Sequence, residues 1–177
     1  MQVEIVNVVG AAMLDRGIDL KKLIREYSNV YFPSPDFPGV VIRFKGQKAP
    51  TILAFNTGKL IATGGKSTEQ VSYYVRRVVK LLREVGFKVR LEKFEIVNIV
   101  ATGSLGKPVE LERVYMRLPR SIYEPEQFPG VIFSLNSCKA LLFSRGSFVL
   151  TGLKSEGEVE KAAKRLKRVV RRALEAS

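Results

Sequence analysis

Leu53-Ala54-Phe55-Asn56-Thr57-Gly58-Lys59-Leu60-Ile61-Ala62-Thr63-Gly64-Gly65-Lys66-Ser67 reads as two apolar strands joined by a tight turn and followed by the start of a long helix. The same text returns at Leu141-Leu142-Phe143-Ser144-Arg145-Gly146-Ser147-Phe148-Val149-Leu150-Thr151-Gly152-Leu153-Lys154-Ser155, with Phe, Gly, Thr, Gly, Lys and Ser at one offset (143 − 55 = 88). A fixed offset of this length marks a duplicated unit, which decides the fold before any single element is assigned.

Outward from this hairpin the duplication continues. Val3-Glu4-Ile5-Val6-Asn7-Val8-Val9-Gly10 is a β-branched strand, and Lys93-Phe94-Glu95-Ile96-Val97-Asn98-Ile99-Val100-Ala101 repeats it (98 − 7 = 91). A short helix follows each, over Asp19–Tyr27 and Val109–Met116, with Leu20, Leu23 and Ile24 matching Leu111, Val114 and Tyr115 as one buried stripe. A Pro-punctuated loop then delivers Phe37 before the strand Val40–Phe44, and the loop Tyr123–Gly130 delivers Phe128 in the same way. The drop in offset from 91 to 88 puts a three-residue shortening in the turn around Asn136-Ser137-Cys138, where turns absorb it cheaply. Ser67 with Gln70 and Ser155 with Glu158 are capping boxes that open two long helices. Their apolar stripes are Val71, Tyr74, Val75, Val78, Leu81, Leu82 and Val159, Ala162, Ala163, Leu166, Val169, Val170. Gly86 ends the first of these helices, and Phe87–Glu92 leads into the second half.

Each half therefore reads as strand, short helix, four hairpin-linked strands and long helix, an α+β unit, with repeats at 1–91 and 92–177 and about ten antiparallel strands in all. Thirty Lys and Arg against seventeen Asp and Glu leave +13 over 177 residues, which favours a polyanionic partner over a merely solvated basic surface. The lack of a long apolar run and of a basic-then-apolar leader leads to the expectation of a soluble intracellular protein with no membrane contact. A single Cys138 excludes an internal disulfide, and the absence of His removes the commonest general base and metal ligand. No cofactor or metal and no enzymatic activity are expected, and Cys138 reads as a packing or turn residue.

The strands are apolar on both faces, whereas an antiparallel sheet usually keeps one face wet. Four helices cover one face only, so Val9, Leu53, Phe55, Ile61, Val100, Leu141, Phe143 and Val149 are expected to meet a partner, or a second copy of the chain. Asn7, Thr63, Asn98 and Thr151 place a few hydrogen-bonding groups among them, which suits the acceptor-lined floor of an A·T minor groove. Phe37 with Phe55 and Phe128 with Phe143 form repeat-related aromatic pairs of the kind that wedge between base steps.

With these residues assembled, the chain resembles the TATA-box-binding protein family over nearly its whole length, and Tyr-Glu-Pro-Glu-Gln-Phe-Pro-Gly at 123–130 resembles its archaeal branch. The resemblance implies a saddle of two pseudo-symmetric halves, with a ten-stranded concave face that binds and bends AT-rich promoter DNA and four helices on the convex side. It further implies kinking by Phe37, Phe55, Phe128 and Phe143, central hydrogen bonds from Asn7, Asn98, Thr63 and Thr151, and groove contacts by Val9, Leu53, Ile61, Val100, Leu141 and Val149. Arg43, Lys59, Lys66 and Lys154 match phosphate-holding positions, and Glu124 and Glu126 match the loop offered to transcription factor B, ahead of RNA polymerase. A dimer through the concave face is implied as possible without DNA. The location would be the cytoplasmic nucleoid in an archaeon or the nucleus in a eukaryote.

Departures from the family pattern are Ser134 and Ser147, where relatives carry Arg and Lys, and a first loop without the Glu pair. The long helices are also more basic than the archaeal pattern, which points their charge at a further acidic partner or flanking DNA. A nonspecific double-strand binder on the same fold is the competing reading. Gly64-Gly65-Lys66-Ser67 resembles a phosphate-binding loop, but Leu60 occupies the position that needs glycine, and Gly152-Leu153-Lys154-Ser155 lacks the second glycine.

Overall fold

The computed structural model describes residues 2–46 and 48–176. In chain order its elements are β1 (Val3–Leu14), α1 (Leu20–Glu26), β2 (Val30–Tyr31), β3 (Gly39–Arg43), β4 (Thr51–Phe55), β5 (Lys59–Gly65), α2 (Thr68–Glu84), β6 (Leu91–Ser104), α3 (Leu111–Arg117), β7 (Gly130–Leu135), β8 (Cys138–Phe143), β9 (Ser147–Leu153) and α4 (Glu156–Glu175). They fall into two compact units: Asn7–Val97, and Asn98 onward with the opening residues of β1. Strands run β2-β3-β4-β5-β1 in the first and β6-β9-β8-β7 in the second, with antiparallel ladders in both. The α+β class holds.

Nine strands form among the described residues where ten were expected. The missing one is the counterpart of β2, reduced to a single bridge between Ile122 and Ile132. In the first unit the equivalent pair, Tyr31 and Val41, is extended by Val30 and Ile42. Asn29 holds that end: its carbonyl accepts from Arg43 N–H at 3.1 Å, and its Nδ2 donates to Arg43 O at 2.6 Å. The corresponding Arg120 is left-handed, at φ 59, which turns the chain off the ladder.

Local chemistry sets the helix starts. Asp19 accepts from Lys21 and Lys22 N–H to cap α1. Ser67 Oγ accepts from Gln70 N–H at 3.0 Å, while Gln70 Oε1 reaches back to Lys66 N–H at 2.8 Å. Ser155 and Glu158 repeat both bonds at 3.4 and 2.9 Å. Val71, Val75, Val78 and Leu82 then bury one face of α2, and Val159, Ala163, Leu166 and Val170 one face of α4. Val79 and Ala173 join these cores, whereas Tyr74, Leu81, Ala162 and Val169 lie at their margins. Tyr115 departs from its expected place in a stripe: it is 42% exposed and lies against the Tyr123 ring at 6.0 Å. It follows the fully buried Val114, so the helical turn carries it about 100° away from the core.

The three-residue shortening falls where the sequence places it. The hairpin closed by Gly130 and Phe143 spans less than that closed by Gly39 and Phe55 (143 − 130 = 13 against 55 − 39 = 16). Asn136 makes the tight turn possible with φ 53. Cys138 closes that turn as a buried residue, its Sγ donating to Leu135 O at 3.5 Å, and burial, with Glu158 second, pushes its thiol pKa up. No helix among the described residues is long and apolar enough to cross a membrane.

Candidate nucleic-acid interface

The strands alternate between a sealed side and a half-open one. Ile52, Ala54, Leu60 and Ala62 in the first unit and Ala140, Leu142 and Leu150 in the second are fully buried. Leu53, Phe55, Ile61, Leu141, Phe143 and Val149 lie between or beside them, and Val9 and Val100 flank buried residues in β1 and β6; all eight are only half-buried. Leu53 faces Ile61 across β4 and β5, and Leu141 faces Val149 across β8 and β9, so the half-open residues form lateral rows. The rows contain more than the sequence indicated: Ala11 is opposite Ile61, Met13 opposite Lys59, Thr102 opposite Val149 and Ile132 opposite Leu141.

Two asparagines carry the central polar chemistry. Asn7 Oδ1 accepts from Gly64 N–H at 2.8 Å, and Asn98 Oδ1 accepts from Gly152 N–H at 2.7 Å. Since a backbone N–H only donates, each bond fixes the amide orientation and leaves Nδ2 as the group to be offered elsewhere. Asn98 Nδ2 lies 3.5 Å from Thr151 Oγ1, which puts amide and hydroxyl side by side. The glycine N–H groups are available because the ladders slip, between Val8 and Gly10 in β1 and between Ile99 and Ala101 in β6. Gly64 and Gly152 take φ of 83° and 92° at these irregularities, a conformation glycine adopts without a Cβ penalty. Thr63, next to Gly64, is half-buried on β5 opposite Thr51.

The aromatic pairs form as expected. Phe37 and Phe55 have ring centroids 5.9 Å apart, and Phe128 and Phe143 are 5.6 Å apart. Glycine makes the approach possible, because a Cβ on Gly39 or Gly130 would come within 3.0 Å of a ring carbon of Phe55 or Phe128. The loop that presents Phe128 is closed by Glu124, whose carbonyl accepts from Gln127 and Phe128 N–H at 2.9 Å each. The Glu124 and Glu126 side chains are exposed.

Arg43, Lys59, Lys66 and Lys154 are all exposed. Arg43 Nε donates to Tyr31 Oη at 2.7 Å, and its cross-strand partner is Thr51. In the second unit Ser134 stands in its place, but the residue opposite Ser134 is Lys139, which also faces Thr151. The cation has moved one strand over. Lys139 was legible in the sequence through its parity with Leu141 and Phe143, once the strand is taken back past Ala140. Ser147 pairs with Ser104, with no such exchange.

A family model described as transcription factor TFIID, or TATA-binding protein, matches residues 2–85 and 93–173. The chain belongs to the TATA-binding protein family. It is 38% identical to the TATA-box-binding protein of Sulfolobus acidocaldarius over 167 residues, covering 93% of this chain and 84% of that one. With the TATA-box-binding protein of Archaeoglobus fulgidus identity is 37% over 175 residues, covering 96% and 95%. The solved structure of the Methanococcus jannaschii TATA-binding protein superposes with a TM-score of 0.84 at 32% identity, over 97% of this chain and 99% of that one. The family is one of DNA-binding transcription factors and not of enzymes.

Proposed function

We propose that the chain is a general transcription initiation factor that binds AT-rich promoter DNA through the minor groove and bends it. The observation that carries this reading is the pair of oriented amides, Asn7 and Asn98, each set in an uncovered apolar strand surface of its unit. A·T pairs present only acceptors in the minor groove, which outward Nδ2 donors satisfy, while the aliphatic side chains take the sugar edges. Thr63 and Thr151 add hydroxyls beside the amides. Val9, Leu53, Ile61, Val100, Leu141 and Val149 form the contact surface, and Phe37, Phe55, Phe128 and Phe143 enter base steps, a mode for which this family is the standing example.

Arg43, Lys59, Lys66 and Lys154 hold phosphates, joined by Lys139 in the second unit. The repeats are assigned to 1–91 and 92–177. Glu124 and Glu126 present a negative loop to transcription factor B, which brings RNA polymerase, and the uncovered strand surface is where a second copy would sit when DNA is absent. The relatives described above are archaeal, which favours the nucleoid in the cytoplasm.

A gel shift with a bend readout, on an AT-rich box against a scrambled duplex at stated salt, is the test. Preference for the box with strong bending is expected. Equal binding to both duplexes would instead support the nonspecific binder that the +13 charge alone favours.

A further inference from the structure

Arg77 on α2 and Arg165 on α4 hold one place in the repeat (165 − 77 = 88), and each lines a cavity beside the first hairpin turn of its unit. In the first unit the guanidinium is provided for. It lies 5.4 Å from the Phe44 ring centroid and 6.0 Å from that of Tyr73, and its Nη1 donates to Tyr73 Oη at 3.4 Å. In the second unit every one of these partners is gone: Lys161 replaces Tyr73, Ala162 replaces Tyr74, and Leu135 replaces Phe44 (135 − 44 = 91).

Arg165 Nε is consequently buried with no hydrogen-bond partner among the described residues. The half-buried Arg165 side chain lines a cavity of about 320 Å³ whose wall includes Lys161, Arg168, Asn136 and Ser137. The one carboxylate of that wall, Glu158, accepts from Lys154 N–H at 2.9 Å. No ion pair among the described residues engages Lys161, Arg165 or Arg168. Buried donors without acceptors are rare in native proteins, and an absent ion is one of the few accounts of them. A guanidinium N–H flanked by two further cations calls for a charged acceptor, since charge-assisted bonds to oxyanions are the strong ones.

We propose that this cavity is an oxyanion site, in which a phosphate or carboxylate group accepts from the Arg165 guanidinium, with Lys161 and Arg168 supplying charge and Asn136 and Ser137 polar walls. The repeat supplies an internal control, because the Arg77 guanidinium already lies against the Phe44 and Tyr73 rings and donates to Tyr73 Oη.

Inorganic phosphate is titrated into the whole protein at constant ionic strength made up with chloride, and the Arg165 and Arg77 Nε–H resonances are followed by NMR; acetate is the second arm. A saturable one-site shift of Arg165 with Arg77 unmoved is expected, and the same titration followed at the Asn136 and Ser137 backbone N–H resonances of the cavity wall is weakened at least tenfold by Arg165→Gln. Arg168→Gln, on the exposed flank of the cavity, leaves the Arg165 guanidinium in place and weakens binding as well. Tighter saturation by phosphate assigns a phosphoryl ligand, and equal or tighter saturation by acetate assigns a carboxylate. Saturation by neither, equal shifts at Arg77, or unchanged binding by both variants overturns the proposal.

Discussion

At the scale of single residues, the proposed DNA contact depends on which atom of an amide faces outward. Asn7→Asp and Asn98→Asp keep the acceptor that Gly64 and Gly152 N–H use and remove the outward donor. Each substitution is therefore expected to weaken binding to an AT-rich box by about 1–3 kcal/mol while leaving the thermal midpoint nearly unchanged, as read by fluorescence anisotropy beside a melting curve. The phenylalanines and the cations separate in a different pair of readouts. Phe55→Ala and Phe143→Ala should reduce the bend more than the salt slope, whereas Lys139→Ala should lower the slope of log affinity against log salt by about 0.9 and spare the bend. Bending by the Phe variants equal to the parent would contradict the wedge assignment. Most of these positions were legible in the sequence because each appears twice, so a residue that means little once gains weight from its copy. Lys139 has no such copy, because its counterpart is Thr51, and only its parity with Leu141 and Phe143 marks it: the exchange with Arg43 and Ser134 runs across a ladder.

At the scale of elements, the caps and the strand registers carry the stability predictions. Ser67→Ala removes the acceptor for Gln70 N–H at the start of α2 and should cost about 1 kcal/mol in urea denaturation. The link between β1 and β6 is held by Asp15, which exchanges backbone bonds with Arg90: Asp15 N–H donates to Arg90 O at 3.0 Å, and Arg90 N–H donates to Asp15 Oδ1 at 2.8 Å. That bond to the carboxylate, followed by the nearby Arg16 and Arg90 charges and opposed by desolvation, lowers its pKa below the usual 3.8. A carboxylate with a lowered folded-state pKa contributes stability above its unfolded value and loses it as pH falls through the folded one. Urea midpoints should accordingly decline more steeply in the parent than in Asp15→Asn as the pH falls below 3.8. A parallel decline would remove Asp15 from the account of acid sensitivity. The element order was readable from periodicity and caps, including the site of the three-residue shortening. The tenth strand was not, because its loss turns on one left-handed residue, Arg120, at a position where neither the apolar pattern nor a glycine signals a break.

At the scale of the whole molecule, charge is the property to test. Reversal of Arg76, Arg77, Arg168 and Arg171 on the two long helices is expected to leave affinity for an isolated box within about threefold and to reduce association with longer flanking duplex or an acidic protein partner, measured by anisotropy and pull-down. Unchanged behaviour in both assays would mean that these arginines recruit neither flanking DNA nor an acidic partner. The repeat itself has a last consequence. Two copies of one reading motif, amide, slipped ladder and left-handed glycine included, carry no mark of upstream or downstream as long as they are the same. Polarity along a promoter has to come from the places where the copies disagree: cation on β3 in one unit and on β8 in the other, acidic loop in one and not its twin.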